Sequence, residues 1–152
     1  MTQDCQVDFY VLQDETQSAE ILSCVLAMKA WEQGHRIMVV TENEAASEKL
    51  DELMWQHPQG RFLPHARLSQ QGSAPVVIGT MGQLADCSSE VVINLTTASV
   101  PQPGRFRRLL ELVPARENER KASREKFLAY RKQGLTPDSH NINTRHQNQN
   151  HG

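Results

Sequence analysis

Aromatic side chains are scarce in this 152-residue chain: two Trp, two Tyr and four Phe, about 5%. So few, with no interleaved series among the basic residues, argue against a surface that stacks nucleobases one after another. Cysteine is scarcer still. Cys5, Cys24 and Cys87 are odd in number, show no C-x-x-C spacing, and are no framework for a disulfide-stapled domain, which points to a reducing cytosol. No stretch approaches about 18 uninterrupted apolar residues, and the opening MTQDCQVD has neither a basic nor an apolar leader region. The expectation is a cytoplasmic protein that is neither exported nor membrane-spanning.

The usual signatures of chemistry are missing as well. The segment QDETQSAE that follows the first strand-like run holds no glycine, and neither G-x-G-x-x-G nor G-x-x-x-x-G-K-[ST] occurs. Asp14 and Glu15 there would repel a phosphate. The six histidines form no H-E-x-x-H and have no Cys partner at ligand spacing, and no G-x-S-x-G elbow is present. No catalytic residue, metal or cofactor is expected.

What is present reads as one domain. A hydrophobic share of 38% can bury a core in a chain of this length. Gln6 to Leu12 is a β-branched and aromatic run; Thr16 to Gln33 has apolar residues at helical period and ends at Gly34; Arg36 to Thr41 is a short, nearly continuous apolar run. A second helix is predicted from Asn43 to about Trp55, strands at 76–79 and 91–95, a possible fifth at 109–113, and a last helix from Ala115 to Lys132. Alternating strands and helices with short connections predict an α/β fold: a single three-layer Rossmann-like domain over residues 1–136, its sheet mainly parallel and joined by right-handed crossovers. Residues 137–152 are polar, with Ile142 the one apolar side chain from Ser139 on, and are predicted to be a disordered tail.

The net charge of −2 conceals a polarised distribution. Residues 1–104 carry five basic side chains against thirteen acidic, whereas residues 105–132 carry ten against four. Such asymmetry suggests an anionic partner. At about 100° per residue, Arg120, Arg124, Phe127 and Arg131 of the last helix fall within about 60° of one another. One reading is ordinary: Phe127, Leu128 and Tyr130 anchor the helix while the arginines stay solvated. The sharper one is a receptor for a short acidic peptide ending in an apolar side chain and a free carboxylate, which arginine grips in a fork. A second patch lies in LMWQHPQGRFLP, Leu53 to Pro64, where Trp55, Phe62, Leu63 and Pro64 gather around a turn. Either these aromatics are satellite core or they anchor a protein interface. Beside the adaptor reading stand two alternatives, a nucleotide-binding α/β enzyme and a direct single-stranded DNA binder.

The chain resembles the chi subunit family of bacterial DNA polymerase III holoenzyme over about residues 6–135. The resemblance rests on VDFYVL, on A-x-x-x-W-x-x-G-x-R-[IV] at Ala27 to Ile37, on the segment from Leu53 to His65 with its FLPH ending, and on VP…REKFLAYR. It implies a Rossmann-like domain without a nucleotide that joins the clamp-loader complex through the psi subunit. It also implies a bridge to single-stranded DNA-binding protein, whose acidic C-terminal tail docks on the last helix. Carried over by position, the tail-binding candidates are Val113, Arg120, Arg124 and Phe127, with Arg131 added from the helical geometry, and Arg124 is the expected carboxylate clamp. Trp55, Phe62 and Pro64, with Leu63 between them, correspond to a surface for psi or for a helicase-like competitor. The family often has Tyr-Lys where this chain has Phe127-Leu128, a difference that bears on affinity rather than on where the site lies. DNA is expected to be reached only indirectly.

Overall fold

In the computed structural model, which describes residues 5–57, 60–70 and 74–142, the apolar runs become strands of one sheet. They are β1 (Gln6–Leu12), β2 (Ile37–Thr41), β3 (His65–Arg67), β4 (Val76–Thr80), β5 (Val91–Asn94), β6 (Arg108–Val113) and β7 (Asp138–Ile142). Their order is β3-β4-β2-β5-β6-β1-β7, and all of these pairings are parallel. Three α-helices accompany them: α1 (Ala19–Glu32), α2 (Glu44–Gln56) and α3 (Glu117–Lys132). All five residues of β2 are buried, which is why IMVVT reads as an unbroken apolar run rather than an alternating one.

Alternation along the strands divides the core into two. Leu12, Ile37, Val39, Ile78, Ile93 and Leu110 pack with Cys24 and Met28 of α1 and Leu50 and Met54 of α2. Phe9, Met38, Val40, Val92, Leu109 and Val113 pack on the opposite face with Tyr130 of α3. This is the expected α/β architecture of helices on both faces of a parallel sheet. Each fully buried Leu, Ile or Phe in these layers contributes about 1.5–3 kcal/mol.

The helix ends follow local chemistry. Ser18 Oγ accepts from the Ile21 N–H at 3.1 Å, and Asn43 Oδ1 from the Ala46 N–H at 2.8 Å, each capping an otherwise unpaired donor of α1 or α2. Gly34 (φ +91°) and Gly134 (φ +89°) take the left-handed conformation after α1 and α3, where a side chain would be strained. Helix α3 starts at Glu117, two residues later than the sequence predicts, because Arg116 is still extended and serves as its cap.

Two strands depart from the sequence reading. β3 is three residues long, too short to show a period. The predicted disorder of residues 137–152 is corrected at Asp138–Ile142, which form β7 along β1 from Asp8↔Asp138 to Leu12↔Ile142. A polar segment is ordered here because the edge of β1 offers a row of backbone partners. Ile142 also packs against the α1-side core, and His140 Nε2 lies 2.8 Å from Asp8 Oδ1. The remainder of that predicted tail, 143–152, lies outside the described residues.

Candidate functional site

Helix α3 is fixed to the sheet by a polar network inside the core. Lys126 and Tyr130, one turn apart, face β6, where Glu111 is wholly buried. Lys126 Nζ donates to Glu111 Oε1 at 2.6 Å and to the Thr96 carbonyl at 2.8 Å. Tyr130 donates to Glu111 Oε2 at 2.5 Å and accepts from the Val100 N–H at 2.9 Å, while Asn94 Nδ2 donates to Glu111 Oε2 at 3.0 Å. Burial pushes the Glu111 carboxyl above its ordinary range against the pull of Lys126, Tyr130 and Asn94. Burial, together with Glu111, pushes the Tyr130 hydroxyl up. Of the predicted trio, Tyr130 holds the helix, together with Lys126, and half-buried Phe127 packs against the same core layer, whereas Leu128 is 60% exposed and anchors nothing.

With that face committed, the next turns Arg120, Arg124 and Phe127 toward a cleft of about 390 Å³ between α3 and the β1–β7 edge. Its floor is Phe9, Val11 and Phe127, the rings of Phe9 and Phe127 lying 5.3 Å apart. Arg120 Nη2 donates to the Leu12 carbonyl at 3.2 Å, and its buried Nε has no hydrogen-bond partner among the described residues. Arg124 is 66% exposed, and its carboxylate neighbour Glu117 stands 3.8 Å away in solvent. Among the described residues no acidic side chain lines the cleft. Two guanidiniums over an apolar floor can hold a carboxylate attached to an apolar side chain. Arg131 is exposed and outside the cleft, and Val113 is 1% exposed in the core beneath α3, also outside it. Gln13, Ser123, Ser139 and Asn141 complete the lining. Sequence reasoning missed the last two because their place depends on the register of β7.

The second patch is on the other face of the sheet and toward its other edge. Trp55 at the end of α2 and Phe62 in the following loop are each 62% exposed, with ring centroids 5.8 Å apart. The His65 ring meets Trp55 edge-on at 4.7 Å, its nitrogens 2.7 Å from the Leu63 carbonyl oxygen and 3.1 Å from that of Asp51. Arg61 pairs with Glu32 of α1. Leu63 is 1% exposed and Pro64 half-buried, so Leu63 is the buried root of the patch, and Trp55 and Phe62 are its exposed aromatics.

The basic stretch is divided by the fold. Arg108 binds Asp8 through Nε and Nη2 at 3.3 and 3.1 Å, Arg107 faces Glu90 at 4.0 Å, and Arg105 lies 4.7 Å over the Phe106 ring. These three stand at or just before the start of β6, and none of them lines the α3 cleft. Arg107 and Arg108, with Lys29, border a separate cleft of about 490 Å³ between α1 and β1 that no sequence signal announced. Among the described residues no group of His, Cys, Asp and Glu is placed to hold a metal, and no helix is long and apolar enough to cross a membrane. In the turn after β1, Asp14 accepts the Thr16 N–H at 2.9 Å, which holds its carboxyl low and keeps a negative charge where a phosphate would enter.

Comparison with known proteins places these features in a family. The family model described as DNA polymerase III chi subunit, HolC, matches residues 5–138. A DNA polymerase III subunit chi of Pseudomonas aeruginosa is 34% identical over 138 residues, 90% of this chain and 96% of that protein. The Escherichia coli protein of the same name is 29% identical over 143 residues, covering 90% and 94%, and that of Haemophilus influenzae 26% over 137 residues, covering 88% and 95%. An α/β sheet without a phosphate loop, matched over nearly its whole described length, therefore belongs to the DNA polymerase III chi subunit family.

Proposed function

We propose that this chi-family chain is a non-catalytic adaptor of the clamp-loader complex in DNA replication. Its α3 cleft holds the acidic C-terminal tail of single-stranded DNA-binding protein, and its Trp55–Phe62 patch holds psi, or a helicase-like partner that competes with psi. What carries the reading is the meeting of Arg120, Arg124 and Phe127 in one cleft that has no acidic lining among the described residues. Arg124 closes on the terminal carboxylate, while Phe9, Val11 and Phe127 receive the terminal apolar side chain. No bond is made or broken. The adaptor works by effective concentration: tethering the complex to a strand already coated with binding protein makes the next encounter intramolecular.

The test is a titration of the chain with a labelled acidic peptide ending in Asp-Ile-Pro-Phe, alongside the same peptide amidated at its C-terminus. The free acid binds, more weakly as salt rises, and the amide binds poorly. Arg124→Ala weakens the free acid about 10- to 150-fold, the loss of about 1.5–3 kcal/mol expected for a hydrogen bond to a charged group. Equal binding of acid and amide would remove Arg124 as the clamp.

A further inference from the structure

We propose that β7 is the second wall of this cleft, with Ser139 and Asn141 holding the main chain of the bound acidic peptide. This rests on the peptide-binding reading above and adds a source of affinity that this chain carries in residues beyond the family match, which ends at residue 138.

The register decides which side chains face the cleft. Phe9 pairs with Ser139 and Val11 with Asn141, so these two share the α3 side of the sheet with the apolar floor. The alternate residues latch the strand from behind: His140 lies 2.8 Å from Asp8 and stacks on Tyr10 at 5.2 Å, and Ile142 packs into the α1-side core. A strand held by its rear face is a wall, even though its front is exposed.

That front is prepared for a ligand. Gln13 Nε2 donates to the Val11 carbonyl at 3.1 Å and to Asn141 Oδ1 at 3.3 Å, which orients the Asn141 carboxamide so that its Nδ2 is left over. Among the described residues neither Asn141 Nδ2 nor Ser139 Oγ makes a hydrogen bond. An extended peptide between α3 and β7 would offer its backbone carbonyls to these donors while Arg120 and Arg124 hold its carboxylate. The two walls thus divide the work. The α3 wall supplies charge, and the β7 wall supplies neutral hydrogen bonds to atoms every peptide has.

The test uses the full chain and the free-acid peptide. Ser139→Ala with Asn141→Ala should weaken binding roughly tenfold. It should leave the salt dependence unchanged, since no charge is removed, whereas Arg124→Ala both weakens binding and flattens that dependence. Ending the chain after Pro137 should weaken it at least as much, and ending it after Ile142 should change nothing. Unchanged affinity in the double variant and after removal of 138–152, with Arg124→Ala still defective, overturns the wall and leaves the peptide reading standing. Tighter binding after that removal also overturns it, because β7 would then be a plug. A full chain that binds no peptide overturns both. Thermal melts of the two-alanine variant keep folding out of the comparison.

Discussion

At the scale of single residues, exposure decides what each candidate can do. Arg124 and Arg120 show the contrast: Arg124 holds an exposed charge in solvent, while Arg120 is partly tied to the Leu12 carbonyl and acts from a fixed position. The helical projection identified both, and Phe127 with them, because angular position on a helix follows from residue number alone. It could not separate them from Arg131, which shares their side but lies beyond the end of the cleft. Nor could it show that Leu63 and Val113 are core, since an apolar residue reads the same whether it anchors a loop or meets a partner. The cysteines offer a direct check on burial. Desolvation pushes the Cys5 and Cys24 thiols up to about 11, so neither is appreciably thiolate near pH 8. In the folded protein both should alkylate far more slowly with iodoacetamide than half-buried Cys87, and all three should react alike in denaturant. Fast labelling of Cys24 without denaturant would contradict the α1 packing.

Among elements, α3 shows how a charged helix can be both rooted and functional. Its root is Glu111–Lys126–Tyr130, and its working face is Arg120–Arg124–Phe127, centred roughly 100° away around the helix. Lys126→Met strands Glu111 in the core and should cost about 3–5 kcal/mol of stability, measured by denaturant unfolding. Replacing both partners, Glu111→Leu with Lys126→Met, should recover a large part of that loss. The pH dependence has a definite sign. A Glu pKa raised by folding means the folded state holds the proton more tightly, so stability is present at low pH and falls as pH climbs above the ordinary carboxylate range. Lys126→Met should steepen that fall by removing the charge that opposes it, and a flat profile would contradict the burial of Glu111. The sequence showed the helix well because its period and its flanking Pro114 and Gly134 are local features. The network was not legible, since Asn94 and Glu111 meet only through sheet pairing and Lys126 joins them only when α3 packs on β6. β7 was missed for the same reason: DSHNI has no strand pattern, and what orders it is the open edge of a strand more than 120 residues earlier.

For the molecule as a whole, the fold sorts a polarised sequence into separate surfaces. The ten basic residues of 105–132 do not form one field: Arg107 and Arg108 border the cleft between α1 and β1, and Arg120 and Arg124 the cleft beside α3. The aromatic patch occupies the opposite face and the opposite edge of the sheet from the cleft. Sites so separated, with no shared side chain, should behave additively. The parallel α/β class was legible because strand and helix periods alternate so regularly, whereas strand order was not, being set by which edges pair. The most direct measurement is a bridging assay: single-stranded DNA coated with its binding protein on a sensor surface, then the chain, then psi. Psi should be retained only when the chain is present; Arg124→Ala should abolish retention while the variant still binds psi in solution, and Trp55→Ala with Phe62→Ala should leave the chain on the surface without psi. Psi that displaces the chain from the coated DNA, or either variant losing both activities while folded, would contradict the two-faced adaptor.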